Sequence, residues 1–471
     1  MVRMDIEKVG KSTAGNIAIS GLTKASRFLA FVLIARYLDP ENFATYALVI
    51  ASVEIFRAFA EFGIDTIVVR SLSEPRDRPH NYVKAALQLK VALNILIACI
   101  GVLSFHLIFP HETPAVYGII LLSIGSLFYS MSNTLRAGFL AKLEMHRVLV
   151  PTLFVGVAYI TLLVVVTKMS MSIYCVFGLQ SAVEAVTFAW LLKLTHLHTS
   201  RQYVDRHVRL FILKNAFPLA LVGGFVVVYS RESLFFLSKL GGPTAVSTYS
   251  VTYRITESVM IVAAALAANL FPLFSAAKGT DERLRTLVAS SIRILFYSGL
   301  VIALAFSIRP EFVLRILYSD RYLSGGTTLS LLAMWIPLAS TNMVLTNAII
   351  AKDGQRIIAI IGLVNLGVNI IANIILVRAF EDRGAAAAAL LTEAFNSVMQ
   401  LMTLKKLLRI QPVTVIPLYQ LVSFGLATAG ILFLSRADDS LLAIGLILAT
   451  GMWFMIRDDL SKHTILSVLR R

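Results

Sequence analysis

Cysteine is almost absent from this sequence. Only Cys99 and Cys175 occur in 471 residues, and both lie inside apolar stretches. They indicate neither a disulfide framework nor a metal cluster, and we interpret both as small packing residues. Charged residues make up only 15% of the chain, whereas hydrophobic residues make up 57%. Soluble proteins are about 45–50% apolar, so the composition argues against an ordinary soluble domain.

Common enzyme signatures are missing as well. The sequence has no Gly-x-x-x-x-Gly-Lys-Ser/Thr loop to hold a nucleotide, no His-Glu-x-x-His and no Gly-x-Ser-x-Gly. His196 and His198 are two residues apart, but no Cys, Asp or Glu stands beside them, so a solvated loop is the preferred interpretation. We therefore predict no catalytic residue, no metal site and no cofactor, and a protein that is not an enzyme.

The chain does contain long apolar blocks, and its mean hydropathy is +0.78. About 20 apolar residues in a helix cross the hydrocarbon core of a bilayer, and a helix satisfies its own backbone hydrogen bonds there. We therefore predict an all-α integral membrane protein with about fourteen transmembrane helices. The predicted spans are 13–37, 41–64, 83–109, 113–137, 146–167, 170–194, 211–237, 244–275, 286–308, 326–351, 356–379, 384–408, 413–435 and 439–456. A short interfacial helix is expected at Glu311–Tyr318.

Lysine and arginine predict the orientation. With an even number of spans, both termini lie on the same side of the membrane. Lysine and arginine are concentrated in the segments on that side. Loops enriched in these residues are usually cytoplasmic. We therefore predict a multi-pass protein of the cytoplasmic (inner) membrane with both termini in the cytoplasm. The net charge of +16 is explained by these loops beside anionic lipid, without any nucleic-acid partner. The charged start, Met1 to Lys11, shows no cleavable signal peptide.

The sequence also repeats itself at nearly constant offsets. Tyr46 aligns with Tyr249, and Glu184-Ala185 aligns with Glu393-Ala394. Each repeat holds six helices, an even number, so the two copies insert with the same orientation. We predict two parallel-repeat six-helix bundles around a central cavity, followed by a C-terminal helix pair. The predicted domains are the bundle 1–195, the cytoplasmic linker 196–210, the bundle 211–410, and the last helix pair with its tail, 411–471.

Ionisable residues inside the predicted spans are the functional candidates, since charge is costly there. In the first span, Asn16, Lys24 and Arg27 belong to one polar stripe, and this helix supplies no acid to pair with its two cations. We interpret Lys24 and Arg27 as buried cations that bind an anion. The second span carries Glu54, Arg57 and Glu61 on one face, where mutual neutralisation is the preferred interpretation.

Further polar residues occur in the later spans. Arg231 and Glu232 lie near the outer end of the seventh, and Arg254 and Glu257 share one face of the eighth. The remaining ones, which are interpreted as structural links between helices, are Asn365, Asn369, Asn373, Glu184 and Glu393.

Several runs of the chain resemble the polysaccharide-transporter family, which includes O-antigen and exopolysaccharide flippases. The family shares a superfamily with the lipid II flippase and the multidrug and toxic-compound extrusion transporters. Departures from its pattern are the two extra helices, since many members end after twelve, and Ser230-Arg231-Glu232, where an acidic residue is usual. The similar runs are Ala35–Tyr46, Phe62–Asp65, Val69-Arg70, Thr248–Arg254, Leu270–Ser275, Val364–Asn369, Arg383–Ala386 and Thr392-Glu393.

The resemblance implies a V-shaped cavity with alternating access and an undecaprenyl-diphosphate-linked oligosaccharide as substrate, an O-antigen or exopolysaccharide repeat unit. It also implies membrane lipids and a polysaccharide polymerase or export machinery as partners. We predict that cavity cations bind the anionic diphosphate, with Lys24 and Arg27 joined by Arg254. The predicted substrate-binding residues are Lys24, Arg27, Glu54, Arg57, Arg254 and Glu257, with Asn16, Arg231 and Asn369 as further candidates.

Three alternatives remain open. A drug/cation antiporter of the multidrug and toxic-compound extrusion type would require a net acidic cavity, whereas the first two spans carry, away from their ends, the three cations Lys24, Arg27 and Arg57 and the two acids Glu54 and Glu61. A glycan polymerase or ligase would require a large external loop, and most loops between the predicted spans are short, with no large external one. A membrane scaffold without transport activity is the third.

Overall fold

The computed structural model describes residues 6–61, 63–73, 79–195, 206–277, 279 and 281–408, and all regular secondary structure in these ranges is helical. The helices are α1 (Ile6–Tyr37), α2 (Pro40–Glu61), α3 (Ile64–Ser73), α4 (Pro79–Ile108), α5 (Thr113–Ala141), α6 (His146–Lys168), α7 (Ile173–Leu194), α8 (Arg206–Leu240), α9 (Gly242–Ala276), α10 (Asp281–Ile308), α11 (Pro310–Tyr318), α12 (Gly326–Ala351) and α13 (Gln355–Leu408). A 3₁₀ turn at Asp320–Gly325 joins α11 to α12.

Within the described ranges, nine helices are long and apolar enough to cross a membrane. Charged side chains interrupt the apolar sequence of α2, which is nevertheless 22 residues long. Each predicted span from 13–37 to 384–408 corresponds to a described helix or to one half of α13. The all-α membrane architecture is therefore confirmed, and the chain is a multi-pass membrane protein. The predicted spans 413–435 and 439–456 lie outside the described residues.

The long helix α13 consists of two helices joined at a sharp kink. Glu381 has φ 51° and ψ −124°, which is not a helical conformation. A Cβ atom at Gly384 would collide with the carbonyl oxygen of Leu376, so only glycine allows this approach of the two backbones. Asp382 accepts a hydrogen bond from the Thr328 hydroxyl of α12, which ties the kink to a neighbouring helix. The kink agrees with the predicted break between 356–379 and 384–408.

Two short helices lie outside the main spans. The predicted helix Glu311–Tyr318 is present as α11, one residue longer at its start. The helix α3 was not predicted, because the second span was expected to run to residue 64. Gly63 has φ 64°, a left-handed conformation that glycine adopts readily, and it separates α2 from α3.

The turn between α1 and α2 is fixed by Asp39. Its carboxylate accepts hydrogen bonds from the backbone of Glu41 (3.1 Å) and Asn42 (2.9 Å), and from the Asn42 amide (2.7 Å). Burial acts to raise the pKa of Asp39, but these bonds outweigh it, so the pKa lies below its usual value. The ionised side chain therefore caps the start of α2.

The chain divides into two compact units, residues 1–235 and 236–471. A core of the first unit includes Ile64, Leu135 and Val148, and it also takes in Ile212 and Ala216 of α8. Most of α8 therefore belongs with the first unit, whereas we expected the boundary at 196–210. The relation between the two six-helix repeats stays a prediction.

The second unit has its own apolar core. Phe274, Leu284 and Val288 pack there with Leu345 and Leu404, so α9, α10, α12 and the second half of α13 meet around it. In the first unit, large apolar side chains point outward on α4 and α6, among them Leu107 (71% exposed) and Phe154 (64% exposed). Such surfaces are stable beside lipid tails rather than water.

Candidate functional site

Arg27 lies about two thirds of the way along α1 and has an acidic partner on another helix. Its Nη2 is 3.4 Å from Oε1 of Glu184 on α7, and the Arg27 side chain remains 38% exposed. The prediction that Arg27 is an unpaired buried cation is therefore wrong. The first span supplies no acid, as its sequence indicates, but tertiary packing brings one from α7.

Lys24 is exposed on the surface of the protein, and its predicted role in binding an anion stays a prediction. The face of α1 that packs on α6 is marked by Gly15, which lies against the His146 backbone, and by Ser26, which lies against Gly156. At 100° per residue, Lys24 lies on the opposite side of α1 from these small residues. Asn16 is half-buried on the same helix.

The charged residues of α2 contact other helices rather than one another. Oε2 of Glu54 is 2.8 Å from Nε of Arg231 on α8. Oε1 of Glu61 accepts a hydrogen bond from the Asn133 amide of α5 at 3.1 Å. The interpretation that α2 neutralises itself is therefore wrong, and its carboxylates link it to α5 and α8.

Tyr129 of α5 is the centre of the arrangement. The guanidinium carbons of Arg27 and of Arg57 each lie 4.6 Å from the centroid of its ring. Arg136, two turns further along α5, interacts electrostatically with Tyr129 and Glu184, and its buried Nε makes no hydrogen bond within the described residues. We call Arg27, Arg57, Tyr129, Arg136 and Glu184 the arginine cluster.

Neither Tyr129 nor Arg136 is among the candidates predicted from the sequence, although both fall within the predicted span 113–137. The structure places both within α5, which runs from Thr113 to Ala141. A signal was available, because Tyr129, Asn133 and Arg136 follow the i, i+4, i+7 spacing of one helix face. That stripe would have shown that α5 presents polar groups to α1 and α2.

In the second unit, Arg254 and Glu257 form an ion pair on α9. Nη1 of Arg254 is 3.0 Å from Oε2 of Glu257, and the side chains are 22% and 31% exposed. The pair confirms the predicted common face. Both residues belong to the second unit, whereas the arginine cluster belongs to the first.

The asparagines of α13 join its two halves. The Asn369 amide donates to the Thr392 hydroxyl at 3.1 Å and also receives a bond from Asn373. Glu393 accepts a hydrogen bond from the Asn342 amide of α12 at 2.6 Å. These bonds agree with the interpretation of Asn369 and Glu393 as structural links, although the partner of Glu393 is an amide.

Another ion pair in the first unit was not predicted from the sequence. Lys90 of α4 is fully buried, and its Nζ lies 2.7 Å from Oδ2 of Asp65 on α3 and 2.9 Å from the Ser130 carbonyl on α5. Thr134 donates its hydroxyl to the other oxygen of Asp65 at 2.8 Å. The network links α3, α4 and α5. Lys90 stands alone in an apolar stretch, which is itself the signal of a buried partner.

Among the described residues, no group of three or more His, Cys, Asp or Glu side chains could hold a metal ion. The arginine cluster instead offers guanidinium donors, and these bind carboxylate and phosphate oxygens by charge-assisted hydrogen bonds. The positive charge of the three arginines is partly balanced there by the carboxylates of Glu184 and Glu61. Glu61 accepts a hydrogen bond from Asn133 of α5. The described site is chemically suited to an anion.

Comparison with known proteins agrees with this architecture. A family model described as "Polysaccharide biosynthesis protein" matches residues 9–278, and a model described as "MatE" matches residues 218–375. A probable low-salt glycan biosynthesis flippase of Haloferax volcanii is 23% identical over 384 residues, which cover 79% of this chain and 78% of that protein. A putative O-antigen transporter of Shigella flexneri is 22% identical over 359 residues, 70% of this chain and 81% of that protein.

Solved structures show the same fold. A lipid II flippase in an inward closed conformation superposes with a TM-score of 0.75 at 14% identity, covering 93% of this chain and 98% of that one. An inward-facing multidrug resistance transporter gives a TM-score of 0.71 at 16% identity, with 82% and 94% coverage. Since the first family model spans more than half of the sequence, the chain belongs to the polysaccharide biosynthesis protein family, the group of polysaccharide transporters that its sequence resembles.

Proposed function

We propose that this protein is a flippase that moves a lipid-linked glycan across the cytoplasmic membrane. The observation that carries the proposal is the arginine cluster, in which Arg27 and Arg57 lie against the ring of Tyr129, and Arg136 lies on the same face of α5 as that ring. The proposed substrate is an undecaprenyl-diphosphate-linked oligosaccharide, an O-antigen or exopolysaccharide repeat unit. It would move from the inner to the outer leaflet by alternating access.

The chemistry of the substrate supports this assignment. A diphosphate that joins a lipid to a sugar is anionic wherever it lies, and it needs cations to replace its hydration shell inside a membrane. Guanidinium groups supply forked hydrogen bonds to phosphate, and their attraction is strengthened where water is scarce. Arg27, with 38% of its side chain exposed, is open enough to exchange Glu184 for a phosphate.

The names of the relatives point to the same class of substrate. One relative is a probable glycan biosynthesis flippase and another a putative O-antigen transporter. The lipid II flippase shares the fold over nearly the whole chain. Because these similarities are distant, the identity of the sugar and of the lipid carrier remain part of the proposal.

A drug/cation antiporter is the second candidate, favoured by the "MatE" match over residues 218–375 and by the transporter structures. A cationic drug would be repelled by three arginines offset by two acids. We therefore prefer the anionic substrate. The two candidates differ in a direct test, because an antiporter would protect cells against cationic drugs, whereas a flippase would supply surface glycan.

We also propose that the protein lies in the inner membrane with both termini in the cytoplasm, and that it serves a polysaccharide polymerase or export machinery. The positive-inside bias supports this orientation. Reporter fusions after Arg409 and after Arg471 are expected to give cytoplasmic signals. A periplasmic signal at either site would contradict the topology.

The head-group site is tested by comparing two neutral variants of one ion pair. Both Arg27→Gln and Glu184→Gln break the pair, but only the first removes a donor for phosphate. With membrane levels of each variant measured, Arg27→Gln is expected to lower surface glycan at least about tenfold more, roughly the loss of one charge-assisted hydrogen bond. Undelivered lipid-linked glycan should accumulate on the cytoplasmic face.

The matched control is Arg147→Gln, since Arg147 forms a local ion pair with Glu144 (3.1 Å) at an exposed helix start. Equal losses in Arg27→Gln and Glu184→Gln would mean that the ion pair only holds the helices together. Normal surface glycan in Arg27→Gln would place the head-group site elsewhere. The contributions of Lys24 and of Arg254 are tested by the same neutralisation.

A further inference from the structure

Tyr129 places two like charges beside one aromatic ring. Arg27 comes from α1 and Arg57 from α2, and each guanidinium carbon lies 4.6 Å from the centroid of this ring of α5. Such cation–π contacts are attractive, because the face of the ring is electron-rich. Two separate helices thus hold their arginines against the same side chain, although like charges repel.

The helix that carries the ring is joined to α2 next to it. Asn133 lies one turn further along α5 than Tyr129 and donates a hydrogen bond to Glu61 of α2 at 3.1 Å. The ring contacts and this bond together tie α5 to α1 and α2, so the ring fixes how far apart the two guanidiniums lie.

This spacing suits one anion with two charged groups. Because both guanidinium carbons are equally close to one centroid, they lie no farther apart than twice that distance. The two phosphates of a diphosphate share one bridging oxygen, so their outer oxygens can meet both guanidiniums at once. A single phosphate has fewer oxygens to divide between the two guanidiniums, so it is expected to bind the pair less tightly.

We propose that Tyr129 is a positioning residue that holds Arg27 and Arg57 as a paired receptor for a diphosphate, and that it thereby selects diphosphate-linked over monophosphate-linked lipids. This inference rests on the proposed function and refines it, because it identifies the residue that sets the spacing of the two arginines for the diphosphate. Glu184 balances Arg27 in the empty site, and the incoming phosphate replaces it.

The test uses the purified full-length protein and two probes with the same tail, geranylgeranyl diphosphate and geranylgeranyl monophosphate. The measured quantity is the ratio of the two dissociation constants. Wild type is expected to prefer the diphosphate. Tyr129→Leu removes both ring contacts and should weaken diphosphate binding about tenfold, with monophosphate binding changed by less than about threefold. A purely structural role of the ring would lower both affinities together.

Tyr129→Phe keeps the ring and is expected to retain the preference, so it remains informative if Tyr129→Leu does not fold. Tyr117→Leu is the matched control, since Tyr117 lies on the same helix and is 58% exposed. Loss of the preference in Tyr129→Phe, or its survival in a folded Tyr129→Leu, would overturn the inference. Equal binding of both probes by wild type would overturn it too, while a lipid-linked glycan substrate would stand. If wild type bound neither probe, the head-group site of the proposed function would itself fail.

Discussion

Replacing Asp65 with alanine is expected to destabilise the protein much more than replacing its partner Lys90 with methionine. The two side chains form one ion pair with an Nζ–Oδ2 distance of 2.7 Å, but they are buried to different degrees. Lys90 is fully buried, whereas the Asp65 side chain is 28% exposed. The two substitutions therefore leave different charges behind in different surroundings.

The expected loss of stability depends on which charged group each substitution leaves behind. Asp65→Ala leaves the Lys90 ammonium in the interior, where the Ser130 carbonyl at 2.9 Å is its remaining partner among the described residues, and an uncompensated buried charge costs about 3–5 kcal/mol. Lys90→Met keeps the aliphatic stem and leaves a carboxylate that reaches solvent and still accepts the Thr134 hydroxyl. Its cost should be that of one hydrogen bond to a charged group, about 1.5–3 kcal/mol.

The assay is thermal stability in detergent, read as the fraction of protein that remains monodisperse after heating. The double variant is the decisive sample, because Lys90→Met removes the charge that Asp65→Ala strands. It should be more stable than Asp65→Ala alone. The buried-charge reasoning is wrong if the two single variants are equally unstable. It is also wrong if the double variant loses as much stability as the two single variants lose together.

Two other contacts give direct predictions. Reversing the charge of Glu54 or of Arg231 alone should lower thermal stability, because their ion pair joins α2 to α8 at 2.8 Å. Exchanging both charges should restore it. If the exchange fails, other neighbours determine which charge each position requires. Asp39→Ala should lower stability by about 1 kcal/mol at neutral pH through loss of the helix cap. The pKa of Asp39 is lower in the folded state than in the unfolded chain, so this contribution is fully present above about pH 4, the pKa of an unperturbed Asp. It is lost as the pH falls through the lower pKa of the folded state. A stability difference between the variant and wild type that persists in acid would contradict the cap.

The membrane-spanning helices could be predicted from the sequence because bilayer thickness imposes a length on each apolar block. Even the break within α13 was visible, since Gly384 and its charged neighbours interrupt the hydropathy. The separate helix α3 was not, because Ile64, Ile67 and Val68 continue the apolar pattern of α2. Only the backbone turn at Gly63, with φ 64°, ends the first helix there.

Partners of the charged side chains could be predicted only when they were local. Arg254 and Glu257 are three residues apart on α9, so helix geometry alone brings them together. Arg27 and Glu184 are 157 residues apart, and nothing in the local pattern of either helix indicates the other. The anion-binding interpretation of Arg27 therefore has to rest on its exchange of Glu184 for a ligand, and not on the absence of an acid.

The two units use their corresponding carboxylates differently, although the repeat aligns Glu184 with Glu393. In the first unit Glu184 faces the guanidinium of Arg27, and an anionic ligand can replace it there. In the second unit Glu393 accepts the amide of Asn342 at 2.6 Å and is only 6% exposed, so it joins helices within the interior. An amide gains little from exchanging a carboxylate for a phosphate, whereas a guanidinium binds either with paired hydrogen bonds. Recognition of the head group is therefore expected to be concentrated in the first unit, even if both bundles share one fold.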